Sequence, residues 1–360
     1  MPSLKEIKVR INSISSTLAI TSAMKMVAAA KLQKAQMAIQ NMLPYERRLY
    51  SMLVDLMGAM NISAAASEDG SVRGSGSAER GFDQSGDRLS LSNRHDLAGM
   101  DGAYSLMAQR EVRKVAIVAF ASNSSLCGAF NSNVIREATA VINEYRASGL
   151  GDADITVYSV GRKMAEAMRK LGFPSPADFT KMSDSPSYEA ASALAQELFD
   201  GFVSGRFDKV ELVYNHYKST SSQPTTRQTY LPLSLADATA DIQVGKITDS
   251  ASESDTNRGA ESVGAPVVRQ GSPTTETPDL IVEPSKEELI VTLLPKVVRL
   301  RVFTTLLDST AAEQAARTVA MQLATDNGND LLQELTLEYN KGRQQKITSE
   351  ILDLVGGSLQ

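Results

Sequence analysis

The sequence predicts an α/β protein in which a long antiparallel two-helix coiled coil, formed by the N- and C-terminal helices, has a small α/β domain at its base. Three observations carry this. An apolar stripe with near-heptad spacing runs through residues 1–60, short β-branched runs alternate with helical stretches in the middle, and a capping box opens a second long helical stretch towards the end.

The stripe advances by alternating steps of four and three through Ile7, Ile11, Ile14 and Leu18. It resumes at Ala28, Leu32, Ala35, Ile39 and Met42, and continues at Leu49, Leu53, Leu56 and Met60. Thr21, Lys25 and Glu46 take places where the pattern asks for an apolar side chain. A seam sustained this long belongs to a helix that winds against a partner helix and not to one lying on a globular core. At about 1.5 Å per residue the rod spans roughly 85 Å. Pro44 is expected to kink it or mark a weak joint, because its ring removes a backbone donor and crowds the preceding turn.

Beyond the rod the periodicity is lost, and residues 61–111 read as a low-complexity insertion dominated by Ser, Gly, Ala, Asp and Arg. Order returns over 112–235. Residues 114–120 form a β-branched run suited to a buried strand, 122–125 a polar turn, and 133–146 an amphipathic helix. A second strand is expected over 154–159, with a helix from 161 to 172. A third helix over 188–203 and strands over 209–214 and 226–233 complete the unit. Strands alternating with helices give a mostly parallel, Rossmann-like sheet. Residues 236–279 read as a second low-complexity insertion, and 280–282 as a last short strand.

The final segment, 280–360, is the second rod. Ser285 and Glu288 are spaced as a capping box, and Pro295 must be absorbed near the start of the helix. Ala311, Ala312, Ala315, Ala316, Ala320 and Ala324 set small side chains against Ala28, Ala29, Ala30, Ala35 and Ala38 of the first rod, so the two backbones can approach closely.

Composition narrows the function. The 360 residues carry a net charge of −5, no Trp and one cysteine, Cys127. An intramolecular disulfide is thereby excluded, and a reducing compartment is expected. The first twenty residues lack the continuous apolar core of a signal peptide, and no run approaches the roughly 20 apolar residues that span a bilayer. The charge is uneven: residues 1–60 hold eight basic side chains against three acidic ones, while 61–111 and 236–279 each hold eight acidic ones. The basic residues of the first rod are spread along it with no aromatics before Tyr45, so a solvated face is the first reading, an acidic protein partner the second and nucleic acid a distant third. With only His95 and His216, a histidine-based metal site or a Ser-His triad has little support. No phosphate-cradling glycine loop follows a strand. No cofactor is expected.

Several stretches then resemble a known family. They are Leu4-Lys-Glu-Ile7, the run from Ile20 to Leu32, Leu126-Cys-Gly-Ala-Phe-Asn131, Val160-Gly-Arg-Lys163, the run from Ala315 to Met321, Ala324-Thr-Asp-Asn327, the run from Leu335 to Lys341, and Ile347-Thr-Ser-Glu350. In this order, and across both ends and the middle, they resemble the γ subunits of F-type ATP synthases. The resemblance implies a central rotor stalk. Its paired terminal helices pass through the hexameric ring of α and β subunits, and its α/β domain sits below, against ε and the membrane ring of c subunits. Proton-driven rotation of that ring would change the conformation of each catalytic β subunit in turn. The chain would need no catalytic residue of its own, and it would lie on the cytoplasmic face of the bacterial inner membrane, held there only through the complex.

The resemblance also implies contacts to β. Arg343, Gln344 and Thr348 match polar positions high in the ring, while Met24, with Lys25 beside it, and Arg317 match positions near its lower edge. Ile351, Leu354, Val355 and Leu359 belong to the shaft tip. The interruptions of the stripe at Thr21 and Lys25 fall beside Met24, where the shaft is expected to stop serving its own seam. Ala19 and Ser22 stand where the family usually has lysines, and Asn123-Ser124-Ser125 replaces its usual Asp-Arg-Gly, which leaves that turn uncharged.

Overall fold

A computed structural model describes residues 3–59, 106, 109–233, 283 and 285–357. Most of the 61–111 segment, all of 236–279, the expected strand at 280–282, His95 and Leu359 lie outside the described residues.

Helix α1 spans Leu4–Ala59 and helix α6 spans Lys286–Gly357. Both start on capping residues. The Ser3 Oγ accepts from the Glu6 amide at 3.3 Å while the Glu6 carboxylate accepts from the Ser3 amide at 3.0 Å, which is the reciprocal arrangement of a capping box. Ser285 Oγ likewise accepts from the Glu288 amide at 3.2 Å. Helical assignment continues through Pro44 in α1 and through Pro295 in α6.

The two helices pack along each other in opposite directions. Leu4 lies against Gly342, Leu18 against Gly328, Thr21 pairs with Thr325, and Glu46 pairs with Arg301, so numbers fall on α6 as they rise on α1. Every stripe position from Ile7 to Leu56 is buried or half-buried, including Thr21, Lys25 and Glu46. The alanines behave as the spacing predicts: Ala28 and Ala35 on α1 and Ala311, Ala312 and Ala315 on α6 are all buried.

Between them the chain folds into a four-stranded sheet. Strands β1 (Val115–Phe120), β2 (Ile155–Val160), β3 (Lys209–Asn215) and β4 (Thr225–Leu231) lie in the order β2-β1-β3-β4. β1 runs parallel to β2 and β3, and β4 closes one edge antiparallel to β3. Because side chains alternate across a strand, β1 feeds two layers. Val115, Ile117 and Ala119 pack with α2 (Phe130–Ala147) and α3 (Arg162–Lys170), through Val134, Val141, Met164 and Met168. Ala116, Val118 and Phe120 face α5 (Tyr188–Val203) and the lower ends of the long helices, among Leu194, Leu198, Leu53, Ile290 and Leu294. Burial on both faces explains why β1 is an unbroken apolar run with no alternation.

Among the described residues the sequence missed two short elements, α4 (Thr180–Asp184) and a single 3-10 turn at Asp152–Asp154, both too short to show a helical period. α2 starts three residues before the expected boundary, at Phe130.

Candidate functional site

The candidate site is the stretch of the helix pair that rises from the sheet, together with the joint at its base. In open α/β sheets the crevice beyond the carboxyl ends of the strands is the usual place for a ligand. Here α6 crosses that place. Leu306, Ser309, Thr310 and Glu313 lie over Phe120, Ala121, Val160 and Ser183, at the ends of β1 and β2 and in the last turn of α4.

Polar side chains hold α6 at both sides of this crossing. Asp308 accepts from the backbone amide of Tyr217 at 2.9 Å and pairs with His216 Nδ1 at 2.6 Å, just beyond β3. Tyr217 in turn packs against Ala311 and Ala312, and its hydroxyl accepts from Gln36 of α1 at 2.6 Å. The loop after β3 therefore grips both long helices.

On the other side Arg317 meets the turn that follows β1. Its Nη1 donates to the carbonyl of Ser125 at 2.7 Å, and its Nη2 donates to Ser124 Oγ and Glu313 Oε1, each at 2.8 Å. Arg317 and Glu313 are both buried, 9% exposed at the side chain. Burial pushes the Glu313 carboxyl above its ordinary range, aided by Asp184 and opposed by Arg317 and Lys31. The turn is also tied internally, because Asn131 Nδ2 donates to Ser122 Oγ at 2.8 Å and to the Ser124 carbonyl at 3.2 Å. Leu126 stands at φ 67°, and the residue is 60% exposed.

Further up, Met24 and Lys25 are half-buried. Thr21 donates to the carbonyl of Leu18 at 3.1 Å and receives a hydrogen bond from Thr325 Oγ1 at 3.1 Å. The polar break in the stripe is thus met from within the pair. The break at Glu46 is met in the same way, with Arg301 Nη1 at 3.2 Å. Arg343, Gln344 and Thr348 are exposed, and the Thr348 hydroxyl donates to the Gln344 carbonyl at 2.9 Å. With Leu4 opposite Gly342, the stretch 343–357 projects past the start of α1. Ile351, Leu354 and Val355 are exposed there, Leu354 by 75%.

The structure therefore sets the expected contact residues apart by surroundings. Arg343, Gln344 and Thr348 point to solvent, Met24 and Lys25 flank the seam, and Arg317 spends its donors inside the chain. Asp308, Glu313 and Tyr217 carry the joint without having been singled out in the sequence. The only local signal was the four-residue spacing of Glu313 and Arg317, which allows an ion pair on any helix. Among the described residues no cluster of His, Cys, Asp or Glu could hold a metal ion, and no helix is long and apolar enough to cross a membrane.

Residues 3–359 match the protein family described as ATP synthase. The chain is 46% identical to the ATP synthase gamma chain of Phocaeicola vulgatus, with 100% of each covered. It is 44% identical to the gamma chain of Bacteroides thetaiotaomicron, again with 100% of each covered. A chain in the cryo-EM structure of the Euglena gracilis mitochondrial ATP synthase, OSCP/F1/c-ring, has a similar fold, with a TM-score of 0.51 at 18% identity and 98% of this chain and 92% of that one covered.

Proposed function

The chain belongs to the ATP synthase gamma-chain family, and from that membership we propose that it is the central rotor shaft that couples rotation of the c-ring to the β subunits. In this reading α1 and α6 form a left-handed antiparallel coiled coil, and the segments 1–60, 112–235 and 280–360 are its structural units. The α and β subunits surround the shaft, while ε and the c-ring hold the α/β domain. The assembly sits on the cytoplasmic face of a bacterial inner membrane, and this chain touches the membrane only through its partners.

The observation that carries the reading is the projecting end of α6. A helix that exposes Ile351, Leu354 and Val355 beyond the end of its own partner needs an apolar surround supplied by other chains. The crossing of α6 over the carboxyl edge of the sheet fits the same role, because it occupies the place a nucleotide would take in a related fold. Catalysis then belongs to the ring.

The work of the shaft is differential contact. An asymmetric rod touches each β subunit differently at each angle, so every angle favours one combination of β conformations, and nucleotide binding on β reciprocally favours one angle. Met24 and Lys25 serve the lower contact with β, Arg343, Gln344 and Thr348 the upper one, and Ile351, Leu354, Val355 and Leu359 the tip. An affinity-tagged chain expressed in its own cells is expected to bring down α and β subunits in stoichiometric amounts. Recovery of a stable monomer or homodimer free of both would refute the rotor assignment and favour a free-standing adaptor.

A further inference from the structure

We propose that Arg317 is a positioning residue of the shaft: with Glu313 it latches the turn after β1 onto α6, so that the helix pair and the α/β domain turn as one body. The inference rests on the rotor reading for its functional consequence, but its structural content stands on this chain alone.

Three observations lead to it. The first is where the guanidinium directs its hydrogen bonds. One goes to Glu313, one turn back on the same helix, and two go across to Ser124 and Ser125. A planar fork engaged on two elements fixes their relative orientation in a way a single point charge does not. The second is charge balance. Both ionic groups are withdrawn from water, and the turn offers only a hydroxyl and a carbonyl, so the buried pair is neutral as a unit. An uncharged Asn123-Ser124-Ser125 turn suits a guanidinium that already holds its counter-ion, because an added acid would leave a surplus negative charge in a desolvated place.

The third is strain. Leu126 adopts a left-handed backbone conformation at φ 67° and Gly128 follows at φ 58°. A branched residue there persists only when its surroundings hold it. Arg317 grips the carbonyl just before Leu126, and Gly128 sits against Ala320, where a Cβ on the glycine would come within 3.9 Å of the alanine methyl. The turn is clasped on its α6 side by residues 317–320 and on its own side by Asn131 and Cys127. The Asp308 contacts anchor α6 beyond β3, so the Arg317 latch supplies the second fixed point beyond β1. Two points on different strands resist twisting of the domain about the helix axis, which one point does not.

Cys127, the only cysteine of the chain, is buried within this turn and reports on it. The test uses the assembled complex in membrane vesicles and compares Arg317→Gln, Arg317→Lys and Ser124→Ala with the unsubstituted chain. Two quantities are read: the rate at which maleimide labels Cys127 in the gamma-chain band, and ions pumped per ATP hydrolysed. Arg317→Gln is expected to raise the labelling rate by about tenfold or more, since hydrogen bonds to a charged group are lost, and to lower the pumping ratio while α and β still co-purify. Ser124→Ala is expected to shift both in the same direction by less, and Arg317→Lys to restore part of each. A lowered pumping ratio with unchanged labelling would overturn the latch and return Arg317 to a direct contact with a partner. Unchanged labelling and unchanged pumping would overturn it as well. If Arg317→Gln fails to assemble, Ser124→Ala keeps the ion pair, and unchanged labelling in that variant overturns the proposal. Failure of the rotor reading shows separately, as absence of α and β beside the unsubstituted chain, and leaves the labelling comparison on the isolated chain intact.

Discussion

Replacing Gly161 with alanine is expected to destabilise the α/β domain by about 4 kcal/mol or more, at the upper end of what single substitutions do. Gly161 follows β2 with φ 93°, a conformation that L side chains avoid. A Cβ built there would stand 2.0 Å from the carbonyl oxygen of Ala121 and 2.8 Å from its carbonyl carbon. The obstruction is backbone, and that backbone is pinned: the Ala121 amide donates to the Val160 carbonyl at 2.8 Å, and the Lys163 amide donates to the Ser122 carbonyl at 3.1 Å. The conflict also propagates. Arg162 and Asn123 bridge the two strand ends, with the Arg162 amide donating to Asn123 Oδ1 at 2.8 Å, so displacing residue 161 disturbs the turn that Arg317 holds. Gly172 is the built-in control. Its φ is similar at 91°, but nothing lies within 4 Å of its would-be Cβ, so alanine there should cost only about 1–2 kcal/mol of conformational strain. Urea titrations of the full chain, followed by the near-ultraviolet signal of buried tyrosines, separate the two. A Gly161→Ala midpoint equal to that of Gly172→Ala would show that the close approach to Ala121 is not tight.

Substituting Glu211 with alanine is expected to cost about 3–5 kcal/mol, the range for removing one member of a buried ionic group. Glu211 lies on β3 with a side chain 2% exposed. Its carboxylate accepts from Arg227 Nε at 2.7 Å, from Lys209 Nζ at 2.7 Å and from the Tyr145 hydroxyl at 2.6 Å. Its loss would leave Lys209 and the Tyr145 hydroxyl without their carboxylate and Arg227 with Glu144 alone, at the packing of β3 and β4 against α2. Burial on its own would raise the Glu211 carboxyl, but the hydrogen bonds from Arg227, Lys209 and Tyr145 outweigh it and hold it below its ordinary value of 4.5. A carboxylate lowered in the folded state binds its proton more readily when unfolded, so its contribution is complete above the unfolded value and is lost as pH falls through the folded one. The native chain should therefore lose stability on acidification below about pH 4.5, and the Glu211→Ala chain should show a shallower decline over the same interval. Parallel acid limbs for the two proteins would mean that other carboxylates govern that decline.

The long helices were legible because heptad spacing is a local property repeated over many turns, and all stripe positions through Leu56 lie at least half-buried. The sheet was legible for a related reason, since strands buried on both faces must be continuous apolar runs. Polar pairing across the fold was not. Thr21 and Glu46 break the stripe in the sequence, and only the antiparallel register, which sets them opposite Thr325 and Arg301, shows that the breaks are mutual. Arg317 makes the same point at the joint. The resemblance put it near the lower contact with β, and nothing in the local sequence told that the crossing of α6 over the β1 turn also sets it among Glu313, Ser124 and Ser125. Such placement depends on where two segments separated by nearly two hundred positions come to lie, and no periodicity carries that information. The glycine of Val160-Gly-Arg-Lys163 could be read as part of a motif, but its reason, the carbonyl of Ala121 directly beneath it, is tertiary.

The proposed rotor role requires this chain to turn inside a ring of α and β subunits. Fix the α and β subunits of the purified complex to a surface, attach a visible probe to the α/β domain of this chain, and supply ATP. Repeated rotation in a single direction that requires ATP is the predicted result. A probe that stays at one angle relative to the ring while the same complexes hydrolyse ATP would contradict the rotor account.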